Sequence, residues 1–467
     1  MSRSGGGDGE TIGTAAWERE FDRWLAPFWD ALGDARRRRW GPVYVRGLLG
    51  AGDRKSVEPM AARVAPDDYG QLHHFVCASC WPPEPLERVL AEKAQALVGG
   101  PDAVLIVDDT ALLKQGKRSV GVARQYAGAA GKTTNCQTLV SLTLARGEVP
   151  VGLALRLFLP AEWTDDVERC QAAGVPDARR TYRTKLDLAL DEVDRVTAAG
   201  VTYGCVLADA GYGISAYFRQ ALSARGLTWA VGIPRVQKVY PPDVTTAMPA
   251  PRPGARHGRP RVHPVPSARS TPADEVLAAV RWRRLRWREG TKGPLSARFA
   301  AARVVVADGT QNAGGQHLPG EPAWLVGERR DSGETKYYLS NLPPTAPLRE
   351  LAATIKARWS CEQAHQQLKE ELGLDHFEGR SWAGLHHHAL LSLISFALLQ
   401  PLRLAESTAA GGREENQPPA PRPAPGALAP GDPARAARAG RRRPPALPRV
   451  RRVSHLPADR ATVDVAE

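Results

Sequence analysis

The sequence predicts an α/β fold built on a mixed sheet. Three observations predict it: short apolar runs ending in turn signals, helix-period segments between the later runs, and a length of 467 residues that outgrows one hydrophobic core. The runs AVLIVDDT, NCQTLVSLTLARG and VPVGLALRLFLP begin at Ala103, Asn135 and Val149. Each has the length and bounding turn residues of a strand. Helix-period KLDLALDEVDRVTAAG from Lys185, apolar VTYGCVLADAG, helix-period SAYFRQALSARG and apolar LTWAVGIP complete the series.

Three strands followed by helix, strand, helix, strand is the element order of an RNase H-like sheet. Residues 99–233 therefore form the first part of a core. Upstream, residues 17–98 carry apolar positions at helical spacing (WEREFDRWLAPFWDAL, PLERVLAEKAQAL) and predict a helical amino-terminal domain. That domain reads equally as a DNA-binding unit or a packing module with Arg36 to Arg39 in solvent. Residues 234–345 begin with a basic Pro-rich loop and continue in strand-like pieces, EVLAAVRWRRLRW, SARFAAARVVVA, PAWLVGERR and TKYYLSNL, which predict a β-rich insertion. A long helical segment from Pro347 through Gln400 places the completion of the core in 346–406. Residues 1–16 and 407–467 are too poor in apolar residues to offset chain entropy and are expected to be disordered.

With 63 Lys plus Arg against 50 Asp plus Glu, the formal charge is +13, which favours a polyanionic partner, though a basic tail alone could carry the excess. Six cysteines in so long a chain form no disulfide framework and fit a reducing cytosol. His73, His74, Cys77 and Cys80 have spacings a metal could use, but no second Cys/His cluster follows, so free cysteines are the expected state. Neither a signal peptide nor a run of eighteen or so apolar residues stands out, so a cytoplasmic, nucleoid-associated protein without a membrane partner is expected.

The chemistry-bearing residues sit at strand ends. The run AVLIV ends in Asp108-Asp109-Thr110, and YGCVLA ends in Asp209 before the turn AGYG. Two strands delivering acid to one sheet edge is a metal-site pattern, because Mg²⁺ takes hard oxygen ligands. The competing account of either Asp alone is a turn cap. Farther on, Arg358, Glu362, His365 and Lys369 recur at i, i+4, i+7 and i+11 in IKARWSCEQAHQQLKEELGLDHF, so one helix face carries an acid flanked by cations. A solvated face with a weak Arg–Glu pair is the alternative.

The segments DDTALLKQGKRSVGVARQYAGAAGKTTNCQTLVSLTLA, VLADAGYG, YYLSNLP and RWSCEQAHQQLKEELGLDHFEGRSW resemble DDE-superfamily insertion-sequence transposases. The branch is the IS-four/IS-seven-oh-one type, whose third acid lies in a Tyr-x₂-Arg-x₃-Glu-x₆-Lys signature. Arg358, Glu362 and Lys369 fit that spacing. YVRGLLGAGDRKSVEPMA and QLHHFVCASCW extend the resemblance upstream, so it runs from about Trp17 to Gln400. Two departures stand out: Ile355 replaces the signature Tyr, and the tail after SFALLQ is unlike the family.

The resemblance implies a catalytic and metal-binding triad of Asp108, Asp209 and Glu362. Asp109 is the fallback for the first acid, since the family's Asp-x-Thr pattern fits Asp108 with Thr110. It further implies two Mg²⁺ or Mn²⁺ ions, double-stranded DNA at element ends and target, a dimer on that DNA, and phosphate contacts from Arg358 and Lys369. The second and third acids lie 153 residues apart, room for the insertion. Within the insertion, VRWRRLRWREG interleaves Trp282 and Trp287 with arginines, so Trp287 and Arg288 are candidate DNA contacts, with a half-buried strand as the equal alternative. An RNase H-like nuclease without strand transfer and an inactive DNA-binding descendant are the rival functions. A P-loop ATPase is disfavoured by the lack of a GxxxxGK[ST] motif.

Overall fold

A computed structural model describes residues 14–248, 264–290, 293–311 and 315–404. The tail expected to be disordered lies outside these residues, as do most of the amino-terminal stretch and much of the Pro-rich loop. Five helices open the chain: α1 (Thr14–Ala31), α2 (Ala35–Leu49), α3 (Val57–Val64), α4 (Tyr69–Cys77) and α5 (Glu84–Val98). Asp34 starts α2 by accepting a bond from Arg36 N at 2.9 Å.

The core strands are β1 (Val104–Leu113), β2 (Ala123–Ala127), β3 (Lys132–Arg146), β4 (Val149–Leu157), β5 (Cys205–Ala208) and β6 (Trp229–Ile233). β1 pairs antiparallel with β3, and β3 pairs antiparallel with β4. On its other side β1 runs parallel to β5, and β5 parallel to β6. The order β4-β3-β1-β5-β6 is the RNase H-like arrangement that the element order predicts. The short edge strand β2 was hidden in sequence because ARQYA lacks an apolar run. Helices α6 (Ala161–Thr164), α7 (Val167–Ala172), α8 (Lys185–Ala198), α9 (Ala210–Gly213) and α10 (Ala216–Ala224) fill the connections.

The insertion contributes β7 (Lys238–Tyr240), the two-residue strands β8 (Thr246–Ala247), β9 (Val265–Pro266) and β10 (Thr271–Pro272), α11 (Ala273–Ala278), β11 (Arg283–Gly290), β12 (Gly293–Val306), β13 (Pro322–Arg329) and β14 (Thr335–Ser340). It makes no separate sheet of its own size. β14 pairs antiparallel with β6, so the main sheet continues through β13 and β12 to twelve strands. Only β8 and β9 pair apart, as a two-stranded sheet among the described residues. One expectation needs correction: the EVLAA part of EVLAAVRWRRLRW is helix α11. Pro272 precedes it and Asp274 and Glu275 fill its first turn, which are helix-start signals that outweigh the β-branched content.

The expected long carboxyl helical segment is three helices, α12 (Leu348–Ala357), α13 (Trp359–Glu370) and α14 (Trp382–Leu398). Gly373, at φ +64°, takes the left-handed conformation in the turn after α13, just ahead of Leu374–His376. α14 is buried along its length and packs on β4, where Gly152 lacks a Cβ that would lie 2.5 Å from Leu393 Cδ2. Trp382–Leu404 is long and apolar enough to cross a membrane by composition, but 89% of its most apolar window is inside the protein. Its apolarity is that of a core helix.

Candidate functional site

Val107 of β1 lies opposite Ala208 of β5 in parallel register, so Asp108 and Asp209 come next at one level of the sheet. Asp209 follows the last residue of β5, whereas the expected strand end at Asp108 needs correction: the long β3 goes on pairing with β1 to Leu113, which leaves Asp108 in mid-strand opposite Ser141. Asp209 caps α9, its carboxylate accepting a bond from Tyr212 N at 3.2 Å. That short helix lies very close to β6. A Cβ on Gly213 would sit 2.0 Å from the Gly232 carbonyl oxygen, and one on Gly232 would sit 2.8 Å from Ala210 N. Two glycines thus set the depth at which Asp209 stands.

α13 brings the remaining charges. Arg358 joins α12 to α13, donates to Asp108 Oδ2 at 2.6 Å, and pairs through its other terminal nitrogen with Glu362 one turn along. Burial works against the Arg358 cation, yet Asp108, Glu362 and Asp209 hold it above the ordinary guanidinium value. Burial also pushes the Asp108 carboxyl up to about 6; Arg358 opposes that rise, and the charges of Asp209 and Asp109 add to it. Two carboxylates therefore pair with one guanidinium, and a third, Asp209, acts on it through its charge. Asp108 is the buried member, with 13% of its side chain exposed, and Glu362 the open one, at 53%.

Asp109 turns to the other face of β1, as alternation along a strand requires. It accepts the Lys185 ammonium at 2.6 Å and the Tyr212 hydroxyl at 2.6 Å. Lys185 opens α8 behind a Thr184–Asp187 capping box, so Asp109 ties α8 and α9 to β1. These partners, 76 and 103 residues away, gave no signal in the sequence.

Lys369 donates to the Ala111 carbonyl at 2.9 Å, and burial lowers its ammonium below the ordinary value. It docks α13 on β1 just past the acids. Trp287 falls where the β11–β12 register shifts between Arg286 and Arg288. It packs edge-on against Phe299, ring centroids 5.7 Å apart, with the Lys356 ammonium 4.7 Å from its own. Arg288 donates to Glu148 at 2.6 Å and lies 4.1 Å over the Trp359 ring. Trp359, next to Arg358 and 39% exposed, is the open aromatic at this edge, and the motif reading passed it over. Ile355 is buried in an apolar cluster with Leu351 and Phe299, so the departure from the signature Tyr is a packing residue.

The family model described as DDE superfamily endonuclease matches residues 27–294, more than half of the chain and including Asp108 and Asp209. The chain belongs to the DDE superfamily of endonucleases. This DDE-superfamily chain is also 30% identical over 181 residues to the "Probable transposase for insertion sequence element IS701" of Microchaete diplosiphon. That match covers 38% of this chain and 44% of the relative, so the chain spans under half the length of that curated protein. Among solved structures, a piggyBac transposase synaptic complex with hairpin DNA aligns with 80% of this chain and 66% of its own, at 10% identity and a TM-score of 0.41. An overlap of that size carries no functional reading.

Proposed function

We propose that this chain is a DNA transposase that cleaves insertion-sequence ends and joins them to target DNA, with Asp108, Asp209 and Glu362 as its metal-binding catalytic acids. One observation carries the reading: Asp108 on β1 and Glu362 on α13 share the Arg358 guanidinium, and Asp209, just past the end of the neighbouring parallel strand β5, adds its charge to both Asp108 and Arg358. Membership of an endonuclease superfamily and the likeness to an insertion-sequence transposase support it.

The donor set fits hard divalent cations. All three groups are carboxylates, and crowding with Asp209 helps to raise the Asp108 carboxyl, a repulsion that a cation relieves. Bound Mg²⁺ or Mn²⁺, two ions in the full reading, would activate the attacking oxygen and stabilise the leaving oxygen of an in-line phosphoryl displacement. The chain's own residues hold and neutralise. Asp108 is fixed from inside the sheet, Asp209 by its cap on α9, and Glu362 faces the solvent side from which a duplex approaches. Arg358 keeps further donors for a backbone phosphate. Arg288 and Trp359 form a stacked cation and aromatic beside it, Trp287 packs on Phe299 under the Lys356 ammonium, and Lys369 holds α13 in register. Cutting two element ends together calls for a dimer on DNA.

The test is a labelled duplex carrying the element end, incubated with the full chain and Mg²⁺, Mn²⁺ or EDTA, beside Asp209→Ala and Glu362→Ala. Metal-dependent nicking at the end, lost in both variants and followed by joining to a second duplex, is the expected result. Cleavage without joining would make the chain a nuclease, end binding without cleavage an inactive descendant, and cleavage surviving both substitutions would mean that the acids lie elsewhere.

A further inference from the structure

We propose that Asp108, Cys361 and His365 form a binding site for a thiophilic divalent cation, Zn²⁺ being the natural occupant, which borrows Asp108 from the all-carboxylate set. Cys361 and His365 stand four residues apart on α13, so both project from one face of the helix. Cys361 Sγ lies 3.6 Å from His365 Nε2, and a ligating atom of each, with one of Asp108, falls within 4.8 Å of the others. Ligand atoms around a tetrahedral Zn²⁺ bonded at about 2.0–2.3 Å sit roughly 3.3–3.8 Å apart, so closing the triangle takes about an ångström of side-chain movement. No other group of three such donors comes together among the described residues.

The donor types select the ion. Thiolate and imidazole favour Zn²⁺ and Co²⁺ over Mg²⁺, whereas Asp108, Asp209 and Glu362 offer oxygen alone. Polar groups already surround the triad: the Ser141 hydroxyl lies 2.9 Å from His365 Nε2 and 3.0 Å from the Asp108 carbonyl oxygen, and Thr143 Oγ1 lies 3.5 Å from Cys361 Sγ. Binding replaces the Ser141–His365 hydrogen bond and releases the Cys361 thiol proton to solvent. By contrast, the metal-like spacing of His73, His74, Cys77 and Cys80 does not gather in space; His73 and His74 are exposed, and the Cys80 thiol faces the Ala78 carbonyl. Competition between Zn²⁺ and Mg²⁺ for Asp108 rests on the function proposed above; the site itself does not.

The test is a Co²⁺ titration of the DNA-free full chain, reading sulfur-to-cobalt charge-transfer absorption in the near ultraviolet. A single equivalent of the band is expected in wild type, in Glu362→Gln and in the Cys77→Ser/Cys80→Ser double variant. It is lost in Cys361→Ser, and His365→Ala weakens Co²⁺ binding by at least the roughly tenfold that loss of even a supporting partner costs. Thermal melts of each variant check that it is folded. Absence of the band in wild type, or its survival in folded Cys361→Ser, overturns the proposal. Because no DNA or cleavage is involved, that failure is distinct from a failure of the transposase reading.

Discussion

α13 and α14 are neighbours in the chain and opposites in design. α13 has one charged face, with Arg358 bonded to Asp108 and Glu362, and Lys369 bonded to the Ala111 carbonyl of β1. α14 is apolar on every side and buried, and its polar residues are spent on anchoring. His387 stacks on Trp81 at 3.6 Å and its ring nitrogens lie 3.0 and 2.9 Å from the Val76 and Trp81 carbonyl oxygens. His388 meets the Tyr44 hydroxyl at 2.9 Å and the Gly373 carbonyl oxygen at 3.2 Å. Through these rings α14 clamps the amino-terminal helices to the sheet. The difference separates charge gathered on one helix face, which the proposed function uses for chemistry, from polarity buried for docking.

The largest effect that tests this division is on activity. Glu362→Gln should lower metal-dependent nicking by about a hundredfold or more while leaving the melting temperature near wild type, since that side chain is largely exposed. A variant that loses stability instead would make α13 a packing helix like its neighbour. On α14 the pattern reverses. Leu393→Ala, removing a buried side chain against Gly152, should cost about 2–5 kcal/mol in denaturant unfolding.

The anchoring histidines sharpen the contrast through pH. Burial holds His386, whose Nε2 accepts from Leu157 N of β4 at 3.5 Å, at about 3 and His388 at about 4, below the ordinary imidazole value of about 6.5. Above that ordinary value both rings are neutral folded or unfolded, and their contribution is fully present. As pH falls from about 6.5 towards 4 the unfolded chain takes up protons that the folded chain refuses. Stability should then fall by about 1.4 kcal/mol per pH unit for each ring. His388→Phe keeps the stack on Phe377 and should flatten the slope of stability against pH by about one ring's share. It should also cost about 1–3 kcal/mol at neutral pH by stranding the Tyr44 hydroxyl. An unchanged slope would break the link between burial and docking. The smallest effect belongs to the exposed side of α13, where Gln366→Ala, losing a 3.1 Å bond to Glu370, should shift stability by no more than about 0.5 kcal/mol in the same denaturant titration.

What the sequence determined by itself was whatever local period and strand-end position could encode. Apolar runs of strand length put Asp108 and Asp209 on neighbouring strands of one sheet, Asp209 at a strand end, and helical spacing put Arg358, Glu362 and Lys369 along one face of α13; that β1 runs on past Asp108 was set by its pairing with the long β3. Tertiary structure decided the rest. It turned Asp109 away to Lys185 and Tyr212, packed Trp287 at a bulge, joined the insertion to the core sheet through β14 and β6, and set Cys361 and His365 beside Asp108. Each of these depends on partners brought together from distant parts of the chain. A side chain's own residue type fixes what it can bond, but only the folded sheet fixes what stands within reach.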